Sequence, residues 1–206
     1  MELLFVRHAE PLRGTDAADP GLSDIGRAHA TALAEYLREE HIDAVWSSSL
    51  RRARETAAIL AETSGLDVNV DHDLAEFDRD APTYVHFEDI NGMMNPRYEA
   101  FLRDDLSEWD TDVPTFRARV VKAVEEVIQR HPSQHVLLVT HGGVMNAYLG
   151  HVLGLSYLTF HRPAYTGISR VLASSSGRRQ IETVNETPHL RAEHLDARSA
   201  PSGGRR

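Results

Sequence analysis

The order of apolar runs and helical repeats predicts an α/β fold, a mainly parallel central sheet with helices on both faces. Three observations lead there. Leu3-Leu4-Phe5-Val6 and Val136-Leu137-Leu138-Val139 are continuous apolar runs without in/out alternation, as expected of strands buried on both faces. Stretches with apolar residues at helical spacing separate the strand candidates. The chain has 206 residues and 41% hydrophobic content, enough to bury one substantial core.

The elements follow in order. After the first strand, a Gly/Pro/Asp-rich loop runs from Glu10 to Gly21. Ser23 is the expected N-cap of a helix whose apolar stripe reads Ile25, Ala28, Ala32, Leu33, Tyr36 and Leu37. Ala44-Val45-Trp46 is a second strand. Leu50, Ala53, Ala57, Leu60 and Ala61 mark a second helix, closed by Gly65, and Val68 to Val70 is a third strand. Residues 71–112 break the rhythm. They carry thirteen acidic residues against three arginines, with Pro82, Gly92 and Pro96, and read as an insertion holding short helices. A long helix with Phe116, Val120, Val124, Val127 and Ile128 on one face follows, with Pro132 just beyond it. The run Val136–Val139 then leads through Thr140-His141-Gly142-Gly143 into a helix reaching Leu153. Residues 166–173 and 180–185 read as two late strands. Residues 1–190 are expected to form a single domain, and residues 191–206 a flexible tail.

Composition removes several chemistries. The chain has no cysteine, which excludes disulfides, thiolate catalysis and Cys-ligated metals. Lys122 is its single lysine, so a Schiff-base mechanism has one candidate. Twelve histidines are the evident reactive side chains. The net charge of −9 argues against nucleic-acid binding, which needs a basic footprint. Most of the acidity sits in residues 71–112, a segment expected to flank the mouth of a pocket and to disfavour polyanions. No run approaches the ~18 apolar residues of a membrane span, and no targeting segment is evident. A cytoplasmic, membrane-free protein is the expectation. The sequence carries no signal for an oligomeric state.

Three signals point to chemistry. In an open α/β sheet, ligands bind beyond the carboxyl ends of the strands. Two buried strands end in a histidine, at Arg7-His8 and Thr140-His141, and would bring both to one sheet edge if the strands are neighbours. The second helix opens with Arg51, Arg52 and Arg54, where acidic residues are the norm, which suits an oxyanion such as phosphate. Arg51 and Arg54 read as solvated, whereas Arg52 adjoins the apolar stripe. Gly142-Gly143 lets backbone approach a ligand at another helix N-terminus. His72 and Glu76 have helical spacing for metal ligation, but no third ligand accompanies them, so no metal site and no cofactor are expected.

Taken together, these segments resemble the histidine phosphatase superfamily, which includes phosphoglycerate mutases. Arg7-His8-Ala9-Glu10 is similar to its Arg-His-Gly-Glu signature, with Ala9 in place of Gly. Leu22-Ser23-Asp24-Ile25-Gly26 resembles its helix start, and Ser48-Ser49-Leu50-Arg51-Arg52-Ala53-Arg54-Glu55-Thr56-Ala57 its Ser-Pro-Leu-x-Arg-Ala-x-x-Thr-Ala, with Ser49 in place of Pro. Val139-Thr140-His141-Gly142-Gly143 resembles its second histidine motif. The resemblance spans roughly residues 2–190 and implies a three-layer α/β/α fold. It also implies a metal-independent phosphomonoesterase acting on a small phosphoester through a phosphohistidine on His8. Arg7, Arg52 and His141 would bind the phosphoryl group. Glu76 in Leu74-Ala75-Glu76-Phe77 would be the proton donor, with Asp78 and Glu88 as rivals. Arg13 stands near the place of a phosphate-contacting residue, but reads as solvated. A mutase-type phosphotransferase and a non-catalytic phosphate-binding module are the alternatives.

Overall fold

The computed structural model describes residues 1–13, 18–84 and 96–190. Glu88 and the expected tail at 191–206 lie outside the described residues, as do residues 85–95 of the acidic segment. Six strands form one sheet: β1 Glu2–Arg7, β2 Ala44–Ser48, β3 Val68–Asp71, β4 His135–Thr140, β5 Ile168–Ala173 and β6 Arg179–Glu186. Their spatial order is β3-β2-β4-β1-β5-β6. The first four in this order are parallel, and β5 and β6 join antiparallel. The helices are α1 Asp24–Tyr36, α2 Arg51–Ser64, α3 Pro96–Leu102, α4 Val113–Arg130 and α5 Gly142–Leu153.

The sheet is coated on both faces, and strand alternation decides which side chain meets which layer. Leu4, Val6, Val45, Leu137 and Val139 face Leu33, Ala34 and Leu37 of the α1 region and Ala53, Ala57, Leu60 and Ala61 of α2. Leu3, Phe5, Trp46, Val136 and Leu138 face the buried stripes of α4 and α5. This accounts for the uninterrupted apolar runs in β1 and β4. At about 25 cal/mol per Å² of apolar surface, both faces of a central strand contribute to stability, so neither admits polar residues cheaply.

Ser23 caps α1, its hydroxyl accepting from the Gly26 N–H at 2.9 Å. The expected stripe of α1 is displaced. The buried residues are Gly26, Ala30, Leu33 and Ala34, while Ile25 and Tyr36 are exposed. The cause is the close approach of the preceding loop: a Cβ on Gly26 would lie 2.1 Å from the Glu10 carbonyl oxygen. The helix therefore turns its small face inward, and the larger side chains one position away point outward. The remaining stripes, on α2 and α4, fall where the periodicity puts them.

Candidate active site

Parallel pairing of β1 with β4 sets Arg7 opposite Thr140, and the His8 N–H donates to the Thr140 carbonyl at 2.8 Å. The two strand-end histidines therefore meet at one sheet edge, with ring centroids 5.1 Å apart. His8 and His141 are both buried. His8 Nδ1 lies 2.8 Å from the Ala9 carbonyl oxygen. A carbonyl only accepts, so Nδ1 carries the proton and the neutral ring keeps its lone pair on Nε2.

His141 Nε2 lies 2.7 Å from the Ser48 hydroxyl, while its Nδ1 is buried without a hydrogen-bond partner among the described residues. Burial, followed by the charges of Arg52, His8 and Arg7, holds its imidazole well below the ordinary histidine range, so it is neutral near pH 7.

Two guanidinium groups reach this edge. Arg7 donates from Nη1 to the Pro163 carbonyl at 2.7 Å and lies 4.1 Å from the centroid of the Tyr165 ring. Arg52 is 1% exposed, lies 4.3 Å over the Tyr84 ring and faces Asp78 and Asp19 at 3.5 and 3.6 Å. Thr56 explains the end of the α2 motif. Its hydroxyl accepts from the Ala9 N–H at 3.0 Å and donates to the Arg52 carbonyl at 2.8 Å, tying the loop after β1 to the helix that carries Arg52. Arg51 and Arg54 are exposed, and Arg51 pairs with Glu55 at 2.7 Å. Arg13 is also exposed, 3.4 Å from Glu10.

Glu76 comes from the irregular chain after β3. Its Oε2 accepts from the Gly143 N–H at 2.8 Å and its Oε1 from the Phe77 N–H at 3.2 Å. Burial, reinforced by the nearby Asp78 charge, pushes its carboxyl up to about 7, against those hydrogen bonds and the Arg52 charge. Burial also raises Asp78, and Arg52 opposes it. Arg119 steadies this chain from behind, donating to the Asp73 carbonyl at 2.7 Å and the Glu76 carbonyl at 3.4 Å.

Several expectations change here. Both helix N-termini proposed to receive an oxyanion hold carboxyl groups of the chain itself: Asp19 accepts from the Arg51 N–H at 2.9 Å, and Glu76 from Gly143. Gly143 is small because a Cβ there would lie 2.2 Å from Glu76 Oε1, rather than to admit a ligand; at Gly142 a Cβ would have ordinary contacts. His72 and Glu76 do not share a helix. The short 3₁₀ turn His72–Leu74 ends before Glu76, and His72 meets the Ser49 hydroxyl at 3.1 Å instead. Among the described residues, no group of three or more His, Cys, Asp or Glu could hold a metal ion. No described helix is long and apolar enough to cross a membrane.

Arg7, His8, Arg52, Glu76 and Asp78 line one cleft of about 240 Å³. His141 is not among its lining residues and touches the site through its ring contact with His8. The acidic segment is more than a rim, because it supplies Glu76 and Asp78 together with Phe77, Tyr84 and Phe101. Sequence reasoning missed Asn146 within α5 and Thr159 and His161 after it, all of which line the cleft. The faint signal was a cluster of polar residues running up to Pro163, which no periodicity marks.

Residues 3–187 match the model of the histidine phosphatase superfamily, branch 1. The chain is 28% identical over 209 residues to phosphoserine phosphatase 1 of Hydrogenobacter thermophilus, covering 97% of this chain and 99% of that one. It is 32% identical over 165 residues to phosphoglycerate mutase-like protein 4 of Arabidopsis thaliana, covering 71% and 68%. A solved structure of a phosphoserine phosphatase mutant from Entamoeba histolytica in complex with phosphoserine matches with a TM-score of 0.74 at 20% identity, covering 92% of this chain and 98% of that one. That last likeness is one of fold.

Proposed function

The chain belongs to the histidine phosphatase superfamily, branch 1, and on that footing we propose that it hydrolyses a small phosphomonoester through a phosphohistidine on His8. The observation that carries this reading is the convergence of His8 and Glu76 in one cleft with Arg7 and Arg52. One side chain offers Nε2, the ring nitrogen that bears no proton when the imidazole is neutral. The other offers a carboxyl whose pKa near 7 suits proton transfer at neutral pH.

In this cycle His8 Nε2 attacks phosphorus and the bond from phosphorus to the ester oxygen breaks. Glu76 gives its proton to that oxygen as the alcohol leaves. Water then attacks the phosphohistidine, Glu76 takes a proton from it, and inorganic phosphate departs with His8 restored. Arg7 and Arg52 meet the equatorial oxygens, and His141 supports the same charge from beside His8. A protonated Glu76 adds no repulsion toward the incoming dianion. Residues 1–190 act as one catalytic domain, and no step needs a metal. The phosphoserine phosphatase among the relatives supports a small phosphorylated metabolite as substrate.

Brief reaction with a labelled phosphoester should leave acid-labile, base-stable phosphate on the wild type and none on the His8→Ala variant. Label persisting in that variant would overturn the mechanism. Phosphate released to water, undiminished by chelator, separates this reading from a mutase, which would pass it to an acceptor.

A further inference from the structure

The cleft continues past the phosphate-binding groups into a region that the proposed cycle leaves unused. Its walls there are apolar: Phe77, Phe101, Leu102 and Phe160 line it, with Phe77 and Phe101 ring centroids 5.6 Å apart. Thr159 and His161 are among the polar side chains that line the same cleft. Thr159 Oγ1 and His161 Nε2 are both buried atoms with no hydrogen-bond partner among the described residues. Such atoms carry a desolvation cost that a partner on a ligand would recover.

Neighbouring hydrogen bonds determine what His161 can offer. Asn146 Nδ2 donates to the Gly142 and His161 carbonyls, each at 3.0 Å. That orients the amide and makes Asn146 Oδ1 an acceptor, which takes the His161 N–H at 3.3 Å. His161 Nδ1 lies 2.9 Å from the same Oδ1, so Nδ1 must be the protonated nitrogen. Burial lowers the His161 imidazole to about 4, which keeps the ring neutral near pH 7. Nε2 is therefore a pure acceptor, locked in tautomer by Asn146, and it needs a donor.

That donor is better neutral than cationic. Arg7, Arg52 and Arg162 line the cleft, and its two carboxyls, Glu76 and Asp78, are both raised toward the protonated form by burial. An ammonium group would meet three guanidinium groups in the cleft, whereas a hydroxyl would not be opposed.

We propose that His161 and Thr159 form a leaving-group subsite for a hydroxyl-bearing alcohol, with His161 Nε2 accepting from that hydroxyl and the apolar collar covering the carbon skeleton. The subsite gives the phosphomonoesterase reading its substrate class and rests on that reading.

The test uses binding, so that it does not depend on turnover. Calorimetry measures Kd for ω-hydroxyalkyl phosphonates of two to five carbons, their alkyl analogues and their ω-aminoalkyl analogues. At the best chain length the wild type should prefer the hydroxyalkyl over the alkyl compound about tenfold. His161→Asn keeps a donor toward Asn146 but has nothing at the Nε2 position, and should erase the preference. His161→Gln reaches that position with an amide oxygen and should restore most of it, while Thr159→Val should weaken it. An undiminished ratio in His161→Asn, or tighter binding of the aminoalkyl series, would overturn the subsite, as would failure of every phosphonate to bind. Turnover of the matching phosphate esters is measured separately. Phosphonates that bind with the expected ratio while no ester is hydrolysed would overturn the phosphomonoesterase reading alone.

Discussion

On one side of the cleft Arg7 and His8 stand at the end of a buried strand, with His141 of the adjacent strand in ring contact with His8; on the other Glu76, Asp78 and Tyr84 stand on chain outside regular helix and strand. The strand-end wall takes its geometry from the parallel ladder, so its side chains are placed by backbone that the core holds rigidly. The second wall takes its chemistry from burial. Glu76 sits near pKa 7 because the cleft removes it from water and sets Asp78 beside it, and the N–H groups of Gly143 in α5 and of Phe77 hold its carboxyl in position. One wall carries a fixed guanidinium charge and the histidine proposed as nucleophile, and the other a carboxyl whose pKa lies near neutral pH.

The strongest way to break this contrast is Glu76→Gln, which keeps the side chain's size and one of its two accepting oxygens and removes the titratable proton. Turnover of an alkyl phosphate should fall by about a hundredfold or more. Nitrophenyl phosphate, whose leaving group departs without a proton, should lose at least about tenfold less. Equal losses for both substrates would remove Glu76 from the role of acid.

The same variant isolates the energetic cost of the buried carboxyl. Folding raises Glu76 from 4.5 to about 7, so between these values the folded state holds a proton that the unfolded state has released. Stability therefore falls as pH climbs from about 4.5 through about 7, by up to about 3 kcal/mol from this group. Relative to the wild type, Glu76→Gln should gain that much between pH 5 and pH 8 in denaturant titrations. A difference that does not vary with pH would contradict the raised value.

Gly143→Ala presses on the contact between the walls. Its Cβ would fall 2.2 Å from Glu76 Oε1, so the carboxyl must shift, with a stability loss of about 1–3 kcal/mol and a fall in turnover for alkyl esters. Gly142→Ala, whose Cβ meets nothing closer than 3.7 Å, should leave stability within about 0.5 kcal/mol of the wild type. Thermal unfolding of the pair reads the difference, and similar losses in both would reject the proposed contact.

The smallest effect belongs to Asp78→Asn. Its charge raises Glu76 and faces Arg52 at 3.5 Å. Removing it should move the alkaline limb of the kcat profile down by about half to one pH unit. It should also lower KM a few-fold, because Arg52 loses a competitor for phosphate. An unmoved limb would show that Asp78 does not act on Glu76.

The strand-end wall was legible because its signals are local. Leu3–Val6 and Val136–Val139 announce buried strands, and whatever follows such strands lies at the sheet's ligand-binding edge. Arg52 was legible as the arginine beside the apolar stripe of α2, with Arg51 and Arg54 turned to solvent. The α1 stripe was misread because loop residue Glu10 dictates which face of the helix can approach it, a contact no periodicity records. The carboxyl groups at both helix N-termini were missed for a similar reason: Asp19 and Glu76 reach them from 32 and 67 residues away in the chain.

By itself the sequence determined the strand and helix order, the two faces of the sheet, and which histidines and arginines gather in or beside one cleft. These follow from periodicity and from the rule that buried strands end at the site. Only the tertiary structure decided protonation. The raised pKa of Glu76, the neutral ring of His141 and the tautomer of His161 depend on burial and on hydrogen bonds from distant residues. Solvation and partner geometry set a pKa, and neither exists until the chain has folded around the group.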